Sequence, residues 1–259
     1  MVFAFALLSN LLFAAAAFAS PSNRLADRVA RRAARQSLPN NRIGSGVEAF
    51  TNTSHVEFSS NWAGAVWDSE PAGTFKSVTG TFTVPTPKGS SGAASAWVGI
   101  DGDTCGSAIL QTGIDFTISN GKVSFDAWYE WFPDFAHDFT GISISAGNQI
   151  KLTVTASTTK SGTAVIQNLS TGQTVTKSLT STSALCEQNA EWIVEDFESG
   201  GSLVPFANFG TVTFTNAVAT TFSGSTLTPS GSTIIDIKQG STVLTSVTTG
   251  SSTVTISHT

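Results

Sequence analysis

After Arg42 the chain contains no arginine, and only 12% of its 259 residues are charged. Soluble domains usually carry roughly 25%. There are three histidines, two cysteines, one methionine and one tyrosine. Each scarcity removes a chemistry. His55 and His258 stand near the ends of the body of the chain, so a Ser-His-Asp triad would rest on His137 alone, and no G-x-S-x-G flags a nucleophilic serine. There is no H-E-x-x-H, no paired C-x-x-C, no P-loop and no G-x-G-x-x-G. The pattern points away from zinc, nucleotide and thiol enzymes and implies no metal or cofactor. Asp101-Gly102-Asp103 has calcium-like spacing without the rest of an EF-hand loop and reads as a turn.

The charges that do occur are segregated. Residues 1–19 are apolar apart from Ser9 and Asn10 and end in Ala17-Phe18-Ala19, which reads as a signal peptide of a secreted, extracellular protein. No later stretch reaches the roughly 20 apolar residues of a membrane span. Residues 20–50 then hold all six arginines against two acids, with Leu25, Val29 and Ala33 on a helical stripe. From residue 51 onward seven lysines face sixteen acids. A basic segment ahead of an acidic domain suggests a pro-segment, 20–54, that docks on its own chain as an intramolecular inhibitor and loosens when acid protonates the carboxylates. An acidic secreted domain repels phosphate, so nucleic acid is not an expected partner.

Residues 55–259 read as one domain. The runs 74–84, 122–132, 149–157, 163–170, 211–220 and 241–257 alternate with period two and are rich in Thr, Val and Phe. No convincing 3.6-residue period appears there. Many short alternating strands predict an all-β antiparallel β-sandwich or barrel. Cys105 and Cys186 predict a single disulfide. It would hold the strands that follow each cysteine near one another. Asn168-Leu169-Ser170 and Asn52-Thr53-Ser54 are glycosylation sequons.

What remains for chemistry is carboxylates. They gather in AWVGIDGD (96–103), DAWYEWFPDFAHD (126–138) and AEWIVEDFE (190–198), which also hold four of the six tryptophans. Asp126, Trp128 and Glu130 share one strand face, as do Glu191, Ile193 and Glu195. Acids beside flat aromatic rings suit a groove for an extended polymer, with a carboxylate as general acid and base. Three readings follow: a peptidase, a glycoside hydrolase, and a carbohydrate-binding protein without catalysis. The glycosidase reading is weakened because Glu191 and Glu195 stand about 13 Å apart by strand rise. A retaining pair sits about 5 Å apart.

WVGIDGDTC-x-SAILQTG-x-DF (97–116), DAWYEW-x-P (126–133) and CE-x-NAEWIVEDFESG (186–200) closely resemble the fungal glutamic peptidases, the eqolisins, and SNWAGAV (60–66) resembles the start of their mature domain. The resemblance implies a sandwich of two large curved antiparallel sheets, lectin-like in form, and an acid endopeptidase acting on protein and peptide substrates as a monomer. It implies a catalytic pair, Gln111 and Glu191. It places Trp97 at the border of the site and Asp101, Asp115, Asp126, Glu130 and Asp138 as nearby or supporting acids.

Overall fold

The computed structural model describes residues 34–44 and 56–259. The signal-like stretch, the apolar stripe at Leu25 and Val29 and the sequon at Asn52 lie outside the described residues. Among those described there is no helix.

Two large sheets account for nearly all of the regular structure. One has ten strands and runs Arg42–Ile43, Val56–Ser59, Thr233–Gln239, Trp62–Trp67, Ala190–Glu195, Ser91–Ile100, Ile109–Ser119, Lys122–Phe132, His137–Asp138, with Thr242–Val243 off its path. The other has eight and runs Gln173–Thr180, Ser161–Asn168, Gln149–Thr158, Phe75–Thr83, Thr211–Thr221, Val254–His258, Thr245–Thr249, with Thr226–Leu227 paired to the fifth. All six sequence-predicted runs hold strands, but the last, 241–257, is divided into Thr242–Val243 in the first sheet and Thr245–Thr249 and Val254–His258 in the second. Pairing is antiparallel except where Thr233–Gln239 lies parallel to Val56–Ser59. That one departure arises because the late strand enters between two early ones, Val56–Ser59 and Trp62–Trp67.

The sheets pack face to face through alternate residues. Ala94, Ala96, Val98, Ile100, Leu110, Ile114, Phe116, Trp192 and Val194 from the first sheet meet Phe75, Val78, Phe82, Ile150, Leu152, Val154 and Phe214 from the second. Small alanines on the first sheet let the backbones approach. Trp192 also crosses the core to donate its indole N–H to the Thr79 carbonyl at 2.8 Å, so this buried polar atom is matched. With one face of the ten-stranded sheet committed to this core, the other face is left to a separate cluster of Trp62, Val66, Trp97, Ile109, Trp128, Ile193 and Ile235.

The packing around Asn168 argues against use of its sequon. Its amide is fully buried, donates to the Ser143 carbonyl and to Asn148 Oδ1, and accepts from the Ser170 and Thr171 amides. A glycan on that nitrogen would break the donated bonds and has no space, so the asparagine is a turn-former. Asn168→Ala is expected to lower unfolding free energy by about 1–3 kcal/mol, the penalty for buried groups losing partners. Denaturant unfolding checks this, and the mass of the secreted protein should show no glycan at Asn168.

Candidate active site

Strand register builds the outer face of the ten-stranded sheet in rows. Antiparallel partners share a face. One row reads Val66, Glu191, Gly99, Gln111, Glu130. Two residues along, the next reads Gly64, Ile193, Trp97, Gly113, Trp128, and the one after reads Trp62, Glu195, Ser95, Asp115, Asp126. Gln111 and Glu191, far apart in sequence, therefore stand in one row on one face with a single residue between them.

That residue is a glycine for a steric reason. A Cβ on Gly99 would come within 2.7 Å of Glu191 Oε1 and 2.7 Å of the Trp97 ring. Gly113 likewise gives room to Trp97 and Trp128, since its Cβ would lie 2.5 Å from Trp97 Cβ and 2.9 Å from Trp128 Cζ2. Strand spacing puts the Gln111 and Glu191 backbones roughly 9–10 Å apart, and the Glu191 carboxyl and the Trp97 ring lean over Gly99 between them. Both are fully buried. Gln111 Nε2 and Oε1 and both Glu191 oxygens have no hydrogen-bond partner within the protein. Buried polar atoms are nearly always matched, so four unmatched ones on two residues of one row mark the pair. Burial first, and then the charges of Asp101 and Asp103, push the Glu191 carboxyl well above the usual carboxylate range.

Residues 34–44 lie across this face. Arg35–Gln36 pairs antiparallel with Glu198–Ser199. The Arg35 guanidinium sends Nε and Nη2 to the two oxygens of Asp115, both at 3.0 Å, and Nη1 to Glu130 Oε2 at 3.0 Å. Its other two N–H groups reach Ser37 Oγ at 2.9 Å and Ser95 Oγ at 3.2 Å. All five donors are thus used. The plane stacks 3.8 Å from the Trp128 ring centroid and 4.7 Å from Phe197. The strap continues through Ser37 N to Glu130 Oε2 (3.2 Å), Leu38 N to Glu195 Oε1 (3.0 Å) and Asn40 N to the Gly102 carbonyl (2.8 Å). These contacts carry Leu38–Asn40 over the Glu191–Gly99–Gln111 row. Arg42 then pairs with Glu57, Asp68 and Asp103.

The remaining expected site residues divide by place. Trp97 lies in the site and donates its indole N–H to Glu195 Oε2 at 3.0 Å. Asp101 sits behind Glu191 and accepts four backbone N–H bonds. Asp115 and Glu130 hold Arg35. Asp126 shares the row of Asp115 and lines the cavity of about 320 Å³ that extends past Arg35 between Gly92, Phe197 and Pro205. Asp138 is exposed on the edge strand, with the Lys122–Phe132 strand between it and the strand of Gln111. Cys105 and Cys186 are bonded. Sequence reasoning missed Gly99, Ser95, Asn189 and the destination of Arg35. A glycine inside a strand marks close approach and was the available signal for the first.

The family described as the Peptidase A4 family matches residues 60–258. Aspergillopepsin-2 of Aspergillus niger is 49% identical over 280 aligned residues, covering 97% of this chain and 98% of that one. Scytalidopepsin B of Scytalidium lignicola is 45% identical over 230, covering 83% of each. Among solved structures, scytalido-glutamic peptidase with a transition state analog inhibitor superposes with a TM-score of 0.72 at 41% identity, over 77% of this chain and 98% of that one. Aspergilloglutamic peptidase from Aspergillus niger gives 0.63 at 57% identity, over 64% and 99%.

Several buried carboxyls on or near this face lack a full counter-charge. Burial raises Asp196 to about 7, against which the Gln239 amide works, and raises Asp236 to about 6, opposed by the Thr245 hydroxyl. Glu195 reaches about 7 by burial despite Arg35. A carboxyl with its folded pKa above its unfolded one near 4 stabilises the fold fully below pH 4, and that stability is lost as pH rises through the folded value. Unfolding free energy is therefore expected to fall between pH 4 and pH 7. Asp196→Asn should flatten that slope, and denaturant titrations of both proteins at pH 4, 5.5 and 7 check it.

Proposed function

The chain belongs to the Peptidase A4 family, and from that premise we propose that its peptidase chemistry is carried by Glu191 and Gln111, acting on protein and peptide substrates in acid. The observation that carries the reading is the pair of buried, partnerless side chains facing the space above Gly99. Scytalido-glutamic peptidase solved with a peptide based transition state analog supports peptide-like ligands.

In the proposed reaction a water held between the two side chains attacks the carbonyl carbon of the scissile bond. Glu191, ionised, takes the water's proton as the C–O bond forms. The carbonyl oxygen becomes negative, and the Gln111 Nε2–H donates to it. One such donor in a dry site is worth about 3 kcal/mol. The intermediate then expels the amine, which takes the proton from Glu191, leaving a carboxylic acid, an amine and the starting enzyme. A carboxylate can serve as base in acid, where a histidine would already be protonated.

We also read residues 20–54 as a pro-segment, following a signal peptide at 1–19 in a secreted monomer. Its described part holds the site shut. Arg35 neutralises Asp115 and Glu130, and Leu38–Asn40 crosses the catalytic row. The Leu38 carbonyl accepts from the Trp62 indole at 2.9 Å and the Pro39 carbonyl from Asn61 Nδ2 at 3.2 Å. Both carbonyls are thus committed to donors other than Gln111, so the strap is not presented for cleavage. It also adds to the burial that raises the Glu191 carboxyl, which disfavours the ionised form a base needs. Acid protonates Glu130, whose carboxyl burial has already raised, weakens the hold on Arg35 and frees the strap. Solvent then returns Glu191 toward its ordinary range.

Two experiments test this. In digestion of a denatured protein at acid pH, Glu191→Gln and Gln111→Glu are each expected to lose roughly 10²–10⁴-fold in rate. Full activity in both variants, or cleavage of polysaccharide alone by the parent, would end the reading. For the strap, the full-length Arg35→Ala chain should begin hydrolysing a reporter peptide at a pH about one unit or more above the parent, followed before any processed fragment forms. An unchanged onset would show that Arg35 is not the latch.

A further inference from the structure

Two loops meet directly behind the Glu191–Gly99 pair. One, residues 101–105, leaves the strand that carries Gly99. The other, residues 186–189, leads into the strand that carries Glu191. Asp101, with φ of 70°, turns its carboxylate onto four consecutive amides: Oδ2 takes Cys186 N at 2.7 Å and Glu187 N at 2.8 Å, and Oδ1 takes Gln188 N at 2.9 Å and Asn189 N at 3.1 Å. Asn189 answers from the other side. Its carbonyl accepts Asp101 N at 3.2 Å, its Oδ1 accepts Thr104 N at 3.0 Å and Cys105 N at 3.2 Å, and its Nδ2 donates to Thr104 Oγ1 at 2.7 Å. The residue is fully buried.

We infer that Asn189 is a positioning residue, which fixes the register of the Ala190–Glu195 strand so that Glu191 faces the space above Gly99; the inference rests on the reading of Glu191 as the base. The argument is geometric. Strand side chains alternate, so a one-residue slip would turn Glu191 into the core side, where Ala190, Trp192 and Val194 now pack. Asn189 stands two residues before Glu191, and its backbone and side chain are pinned at both ends to the loop that continues the Gly99 strand. The chemistry requires an amide, since two backbone N–H groups need an acceptor and the Thr104 hydroxyl takes a donor. The Cys105–Cys186 bond joins the same loops but attaches five residues before Glu191. That tether alone limits separation but would not fix residues 187–190, which the hydrogen bonds hold. The hydrogen-bonded clamp therefore sets the catalytic geometry, and the disulfide adds stability. Asn189 does not reach the reacting atoms, so it acts only through Glu191.

The test uses the acid-activated full chain and steady-state hydrolysis of a fluorogenic peptide, with far-UV circular dichroism and melting on the same samples. Asn189→Ala is expected to lower kcat about ten- to a hundredfold, the scale of a misplacement near 1 Å, with KM within about threefold and the fold retained. Asn189→Asp, which keeps the acceptor oxygen, should recover part of kcat. The double variant Cys105→Ser/Cys186→Ser should melt earlier yet keep kcat within about threefold. If Asn189→Ala does not fold, Thr104→Val removes the hydroxyl arm of the clamp, together with that hydroxyl's bonds to Gln188 Nε2 and the Asp68 carbonyl, and should lower kcat severalfold at constant KM. The inference is overturned if the variant that folds keeps parental kcat, or loses activity only in proportion to unfolded protein. Glu191→Gln in the same assay separates the two claims. If it is inactive while Asn189→Ala is fully active, only the positioning role falls. If it is active, the base assignment falls as well.

Discussion

The face that carries the site is organised around a side chain that is not there. Gly99 separates Glu191 from Gln111 in the row, and any Cβ at that position would collide with the Glu191 carboxyl and the Trp97 ring. The other conditions follow from this. Trp97 can fold back over Gly99 and use its indole N–H on Glu195. Gly113 must then be small, because Trp97 and Trp128 lie on either side of it. The result is a floor of tryptophan with carboxyl groups around its edges. It lies on the sheet face that the inter-sheet core does not use. The core can therefore be optimised for packing without disturbing the polar row, because alternation assigns the two sets of residues to opposite faces.

Such a face is unstable unless its charge is managed. Glu130, Glu191 and Glu195 are all fully buried, and their carboxyls are all raised, with burial as the leading cause. Like charges in a poorly solvated site can be relieved by a cation or by protons. Arg35 supplies the cation, and does so with a planar group that satisfies two carboxylates, two hydroxyls and an aromatic face together. Protons supply the alternative in acid. In the proposed cycle the two solutions replace one another. The strap suits the pH at which carboxylates are charged, and the open site suits the pH at which most are not. The segregation of arginine into residues 20–50 and its absence afterwards is the sequence-level trace of that exchange. A cation built permanently into the domain would compete with release.

Much of the fold was legible because period-two patterning is a local property. The alternating runs form strands because each places mainly apolar residues on one side and polar or site residues on the other. The parallel pairing of Thr233–Gln239 with Val56–Ser59 was not legible, since partner choice depends on which early strands leave a gap. The site shows the same division. The clustering of acids with tryptophans in three segments exposed its materials, and the motif resemblance ranked Glu191 above Glu130 and Glu195. Register did the rest, and register is a property of paired strands. Nothing local shows that Gly99 stands between residues 111 and 191, or that Arg35 enters the site. Asn168 shows the reverse case, in which a short sequence signal stands against burial of the same amide.

The identity of residue 111 follows from its neighbours. In its row it has Glu130 on one side and, beyond Gly99, Glu191 on the other. A third carboxyl between them would have to share protons with both, and its donor capacity would depend on how many protons the group held at a given pH. An amide does not titrate. It presents N–H donors at every pH and adds no charge to a face already crowded with acids. In the proposed mechanism the general base must change protonation state during the cycle while the oxyanion donor must not. A glutamine opposite a glutamate meets both demands with side chains of nearly equal size, so each can reach the space above Gly99 from its own strand.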